Sequence, residues 1–150
     1  MPGVSVEPVT AREVRPLRGA VLRPGQPPEA LVYPGDDLPG ALHAAVRDED
    51  GSIVGVASIA PEPHPRNPRA GDWRLRGMAT APEARGRGLG AALLSACIAH
   101  ARERGGERVW CNARTTAEGF YAREGFTVEG ERFELPDIGL HALMSLSLRG

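Results

Sequence analysis

The stretch "DWRLRGMATAPEARGRGLGAALLSACIAHARERGGERVWCNA", residues 72–113, constrains the fold more than any other part of the chain. Residues 72–79 read as a strand, 88–104 as a long helix, and 107–113 as a second strand. A strand, a crossover helix and another strand can join one sheet only as a parallel pair, and the crossover is right-handed. The turn that opens the helix carries Gly86, Gly88 and Gly90. Glycines so close together let the backbone approach a bulky group, and the helix N-terminus behind them offers unpaired N–H groups to an anion. Arg85 and Arg87 oppose the helix dipole there unless an anion lies between them. Phosphate is therefore the first expectation.

Two other readings compete. Gly86, Gly88 and Ala91 satisfy the dinucleotide-binding pattern G-x-G-x-x-G/A. That fold wants the glycines directly after its first strand and an acidic residue ending the next one. Here "TAPEA" intervenes, Cys111 and Asn112 end the strand, and too few residues follow for a double winding. The remaining reading is a connector that binds nothing.

Around this unit the chain alternates α and β without internal repeats. Val4 to Val9 is a short β-type run, and Thr10 with Glu13 forms a capping box for a helix over 11–22. Residues 23–40 are rich in proline and glycine and predict a long irregular loop with one helical turn. A hairpin around Asp50-Gly51 follows, then a proline-broken loop, "PEPHPRNPR". Residues 116–124 predict a short helix, and the last segment two strands around a turn near Pro136 to Gly139. The expected fold is α/β (α+β), a mixed, mostly antiparallel sheet of about 6–7 strands, in one domain over residues 1–150.

Composition removes whole mechanisms. All 18 basic residues are arginine. A Walker A loop, a protein kinase and a pyridoxal-phosphate enzyme each need a lysine, so none of these can be present. Eighteen arginines against 19 acidic residues give no general field for nucleic acid or an anionic membrane. The near-apolar run Leu89 to Ala99 is too short to span a bilayer, and the N-terminus lacks a signal-peptide pattern, so a cytoplasmic protein is expected. Cys97 and Cys111 have no metal or redox spacing and are expected as reduced, buried thiols; no metal is expected. Trp73 and Trp110 are expected in the core, and His100 near the end of its helix needs no role beyond meeting the dipole.

"RGRGLGAALL" also fits the R/Q-x-x-G-x-G/A signature of the GCN5-related N-acetyltransferases, at Arg85, Gly88 and Gly90. "FYAREGF" at 120–126 resembles that family's helix-to-strand element, and "GERFELPDIGLHALMSL" resembles the ending of several bacterial members. The resemblance implies a sheet splayed between the strands at 72–79 and 107–113, with acetyl-coenzyme A in the cleft. The pyrophosphate would lie on the N–H groups of Gly86, Arg87, Gly88, Leu89, Gly90 and Ala91, with Arg85 and Arg87 adding charge. The amide arm of the cosubstrate would pair like a strand with Met78, Ala79 and Thr80, one of whose N–H groups could polarise the thioester carbonyl. Asn112 would either bond the cosubstrate or cap the next helix.

By its place in "FYAREGF", Tyr121 resembles the proton donor to the departing thiolate; its plain alternative is a core tyrosine near a helix end. The base that deprotonates the amine is less marked. Candidates are Glu131, Glu134 and His141 on the last hairpin and Glu62, His64 and His43 elsewhere. His141 is preferred, because a histidine in the apolar strand "GLHALMSL" needs a polar partner. A water chain could serve equally. The expected acceptor is an amine on a small molecule or peptide, shaped by the loops at 23–40 and 61–69, and Arg66, Arg69, Arg74 and Arg76 nearby invite a carboxylate on it. The protein is expected as a monomer or homodimer. The rival from another class is a non-catalytic acyl-CoA-binding or sensing module.

Overall fold

The computed structural model describes residues 4–136 and 138–149. In chain order the elements are β1 (Glu7–Val9), α1 (Ala11–Leu22), β2 (Leu42–Arg47), β3 (Ile53–Pro61), β4 (Asp72–Thr80), α2 (Leu89–Glu103), β5 (Arg108–Arg114), α3 (Glu118–Arg123), β6 (Thr127–Leu135) and β7 (Gly139–Ser147). Both halves of the capping box form: Thr10 N–H donates to Glu13 Oε1 at 2.9 Å and Glu13 N–H to Thr10 Oγ1 at 3.2 Å. The helical turn expected in the long loop is Pro28–Leu31. The turn near Pro136 to Gly139 includes Asp137, which lies outside the described residues.

Seven strands form one sheet in the order β1-β2-β3-β4-β5-β7-β6, antiparallel everywhere except between β4 and β5. Both faces of the central strands are covered. Ala45, Val56 and Ala79 pack with Val14 of α1, whereas their strand neighbours Ala44 and Ala57 join Leu93, Leu94 and Cys97 of α2. Alternate residues point to opposite faces, so short alanines here let helices settle on each side. The tryptophans are in the core as expected, with Trp73 and Trp110 only 5% and 2% exposed.

The parallel pair is short. Only Asp72↔Arg108, Trp73↔Val109 and Arg74↔Trp110 are in register. Beyond them β4 stays with β3 up to Thr80 and β5 stays with β7 up to His141, so the sheet opens into a V. The closed end is fastened by Arg108, which holds Asp72 through two hydrogen bonds of 2.8 and 3.0 Å. Burial raises the Asp72 pKa, but Arg108 and the N–H groups of His64 and Arg69 outweigh it and keep the carboxyl below its ordinary range. The open end is shaped by Gly77, which takes φ +64 at a bulge opposite Val56 and Ser58; a methyl there would sit 2.9 Å from Arg18 Nε.

Two loops are tied down by buried side chains. His64, 1% exposed, accepts the N–H groups of Arg66 and Asn67 at Nδ1, which leaves Nε2–H to donate to Glu129 Oε2 at 3.0 Å. That fastens the 61–69 loop to β6. His100 has a further role beyond the dipole, because its Nε2 donates to the Gly40 carbonyl at 2.7 Å and anchors the end of the 23–40 loop on α2.

Candidate active site

The V between β4 and β5 holds a cleft of about 240 Å³. Met78 lines one wall; Cys111, Asn112, Phe120, Tyr121 and His141 line the other. Tyr121 is 6% exposed and sits edge-on to Phe120 and Phe126, with ring centres 5.0 and 5.5 Å away. Burial, and then the nearby Cys111 and Cys97, push its pKa above the ordinary tyrosine value, so the hydroxyl keeps its proton at neutral pH. Tyr121 is thus both a packed ring and a cleft-lining residue. The two thiols are free and buried, each with its pKa pushed up to about 12 by burial, so neither is a thiolate at neutral pH.

His141 lies opposite Arg114 of β5 and Phe133 of β6, stacked on the latter at 6.1 Å. Its Nδ1 is 2.8 Å from the Gly139 carbonyl, which can only accept. Nδ1 therefore carries the proton in the neutral ring and Nε2 keeps its lone pair. The other candidate bases are elsewhere. Glu131 and Glu134 are exposed on β6, and Glu62 is paired with Arg74 at 2.9 Å. His64 is occupied by its loop, as described. His43 donates from Nε2 to the Asp36 carbonyl and accepts the Ser58 hydroxyl at Nδ1, at 2.8 and 2.7 Å. Of the six candidates only His141 lines this cleft.

At the mouth of the V stands the N-terminus of α2. A methyl at Gly90 would lie 3.4 Å from the Phe120 ring, which places this end of the helix beside the cleft wall. Gly86 and Gly88 adopt φ +83 and +78, and no atom lies within 4 Å of where their Cβ would be. Gly88 is the N-cap and brings no capping side chain. None of the N–H groups of residues 86–91 donates to an acceptor among the described residues. A row of unpartnered N–H donors at a helix N-terminus is chemically suited to an anion such as a pyrophosphate. The N–H of Ala81 donates to Val54 of β3, so by strand alternation Ala79 also faces β3, while Thr80 and Met78 turn their N–H groups to the free edge. Ala79 contributes packing beneath that edge, with its side chain against Val14. Asn112 lines the cleft and caps neither the turn at 115–117 nor α3. Arg85 is exposed; Arg87 meets Asp48 at 3.2 Å in an ion pair open to solvent.

The other end of the cleft is built from side chains far apart in sequence. Arg18, fully buried, binds Asp36 at 2.8 Å, the Leu31 carbonyl at 2.8 Å and Ser58 Oγ at 3.0 Å. Burial raises the Asp36 pKa, but bonds from Arg18 and the Tyr33 N–H prevail and hold it below its ordinary value. The network seats Tyr33 under the guanidiniums of Arg18, 3.9 Å from its centre, and Arg76, at 4.4 Å. Tyr33, Arg23 and Arg114 line the cleft and carry no local motif that marks them in the sequence. Arg74 and Arg76 reach it as expected, whereas Arg66 and Arg69 are exposed and outside it.

A family model described as "Acetyltransferase (GNAT) family" matches residues 15–126. The N-acetyltransferase YitI of Bacillus subtilis (strain 168), itself uncharacterized, is 35% identical over 146 residues, 97% of each chain. Among solved structures, Escherichia coli ElaA aligns with a TM-score of 0.76 at 17% identity, over 95% of this chain and 98% of its own. A GCN5-related N-acetyltransferase from Kribbella flavida aligns at 0.69 and 22% identity, over 97% and 98%. At these identities the two structures speak to the fold alone.

Proposed function

The chain belongs to the acetyltransferase (GNAT) family, and from that premise we propose that it transfers acetyl from acetyl-coenzyme A to a primary amine by direct attack. The observation that carries this reading is the convergence on one cleft of Tyr121, His141 and the free edge of β4, with the unpartnered N–H groups of 86–91 at its mouth. Acetyl-coenzyme A supplies, when bound, an activated acyl carbon and a sulfur that leaves as a thiolate. The loop donors hold the pyrophosphate, with Arg85 and Arg87 as supplementary charge. Met78 and Thr80 pair with the amide arm, and one of their N–H groups polarises the thioester carbonyl. Asn112 supplies an amide on the facing wall.

His141 accepts the proton of the attacking amine at Nε2, the nitrogen left free by the bond to Gly139. Tyr121 presents its O–H to the departing sulfur. A thiol titrates near 8.5, about 1.5 units below an ordinary tyrosine, and burial widens that gap. Full proton transfer from Tyr121 is therefore uphill, and its hydroxyl acts chiefly by hydrogen-bonding the developing charge. Tyr121→Phe is expected to lower amine-dependent thiol release about 10²-fold, the lower end of what general acid catalysis contributes, while acetyl-coenzyme A affinity stays nearly unchanged. Steady-state turnover and direct binding, on protein of verified melting temperature, decide it. Unchanged turnover in a folded variant removes Tyr121 from the mechanism, and no thiol release with any amine overturns the transfer reading.

A further inference from the structure

Among the described residues, those lining the cleft include four arginines, Arg23, Arg74, Arg76 and Arg114, and no aspartate or glutamate. Two of the four are already committed. Arg74 is paired with Glu62 and lies 4.7 Å over the Trp110 ring, and Arg114 donates to the Leu22 carbonyl. Arg76 and Arg23 have no hydrogen-bond or ion-pair partner among the described residues; both stand over Tyr33, 4.4 and 5.7 Å from the ring centre. Tyr33 itself is 7% exposed and held by the N–H bond to Asp36. Burial, and then the neighbouring Arg74, lower the Arg76 pKa to about 10, and the charge of Glu62 offsets only part of this. Cation–π contact offsets only part of the cost of desolvating a guanidinium, and a carboxylate fits its planar fork through two parallel bonds. Neither neighbouring acid bonds Arg76, because Glu62 is paired with Arg74 and Asp36 with Arg18.

Resting on the transfer reading above, we propose that the acceptor is a small amine bearing a carboxylate, and that Arg76, seated on Tyr33 and assisted by Arg23, binds that carboxylate and selects the substrate. The size of the cleft favours a small acceptor, since 240 Å³ lies below the usual range for drug-sized ligands. A carboxylate is favoured over a phosphate because the free donors here are two side-chain forks, without the backbone nest that suits a phosphate. Arg76 is a specificity-determining residue in this account.

The experiment compares free amino acids, spanning the side-chain classes, with their carboxamides. Affinity is measured by calorimetry on the protein loaded with coenzyme A, and turnover by thiol release from acetyl-coenzyme A. The best acid is expected to bind about 10- to 100-fold more tightly than its amide, the range of a charge-assisted bond. In Arg76→Met the ratio falls to within about twofold, in Arg76→Lys it is intermediate, and in the exposed control Arg66→Met it stays as in the parent protein. Equal affinities of acid and amide in the parent protein overturn the proposal without requiring any variant to fold. So does an acid preference that survives Arg76→Met, or binding of no acid at all. Selective binding of an acid with no thiol release instead counts against the transfer reading and leaves the anion site standing.

Discussion

The two ends of the cleft are made of different materials. At the mouth, the donors are backbone N–H groups of one continuous stretch, residues 86–91, unpartnered among the described residues and uncrowded at Gly86 and Gly88. At the far end, the donors are guanidiniums, placed by a buried network that joins Arg18 of α1, Asp36 of the long loop, Ser58 of β3 and His43 of β2. A backbone site needs little support beyond its own turn, so it sits at the surface. A side-chain site of like charges must be held in place, because half-buried cations repel one another and are only partly solvated. The first end suits a group common to every reaction the enzyme performs; the second suits the group that distinguishes one acceptor from another.

This contrast can be broken by unequal damage. The largest effect is expected from Arg18→Leu, which strands Asp36 as a buried charge and should cost about 3–5 kcal/mol of stability. Chemical denaturation measures it, and a loss below about 1 kcal/mol would mean that the network does not support this end. Next comes Gly88→Val. A β-branched residue at φ +78 is strained by about 1–2 kcal/mol, so acetyl-coenzyme A should bind about tenfold more weakly while the acid-over-amide ratio of the acceptors is unchanged. A changed ratio would show that the ends are not separable. The smallest effect belongs to Arg87→Ala. Its pair with Asp48 is solvent-exposed and contributes at most about 1 kcal/mol to stability. Coenzyme A should nevertheless weaken more than a pantetheine fragment lacking the nucleotide phosphates, as isothermal titration of both ligands would show; equal weakening means that Arg87 does not face phosphate.

The same contrast explains what the sequence discloses. The mouth is legible because its physics is local: glycines at 86, 88 and 90, a helix directly behind them and strands on either side all fall within 42 residues, 72–113. Helix α1 is legible for the same reason, through Thr10 and Glu13. The far end is not. Arg18 finds Asp36 across 18 positions and Ser58 across 40, and no spacing rule announces such pairs. In a chain whose every basic residue is arginine, residue type could not separate Arg76, which lines the cleft, from Arg66 and Arg69, which do not. His141 is preferred among the six bases already from its isolation in an apolar strand, and it alone of the six lines the cleft.

At the closed end of the V lies a seam of three residue pairs, the only place among the described residues where β4 and β5 pair in register. Mechanically the sheet is two plates on a short spine: β1 to β4 on one side, and β5, β7 and β6 on the other. The rest of the β4 edge is an unfinished rung. A substrate arm laid along that edge becomes in effect an eighth strand, wedged between the plates and bonded to one of them. On the proposed reading, binding completes the sheet, and release of the spent cosubstrate peels a strand away. The clasp of Asp72 by Arg108 sits on that spine and ties the two plates together at the root of a gap it never enters.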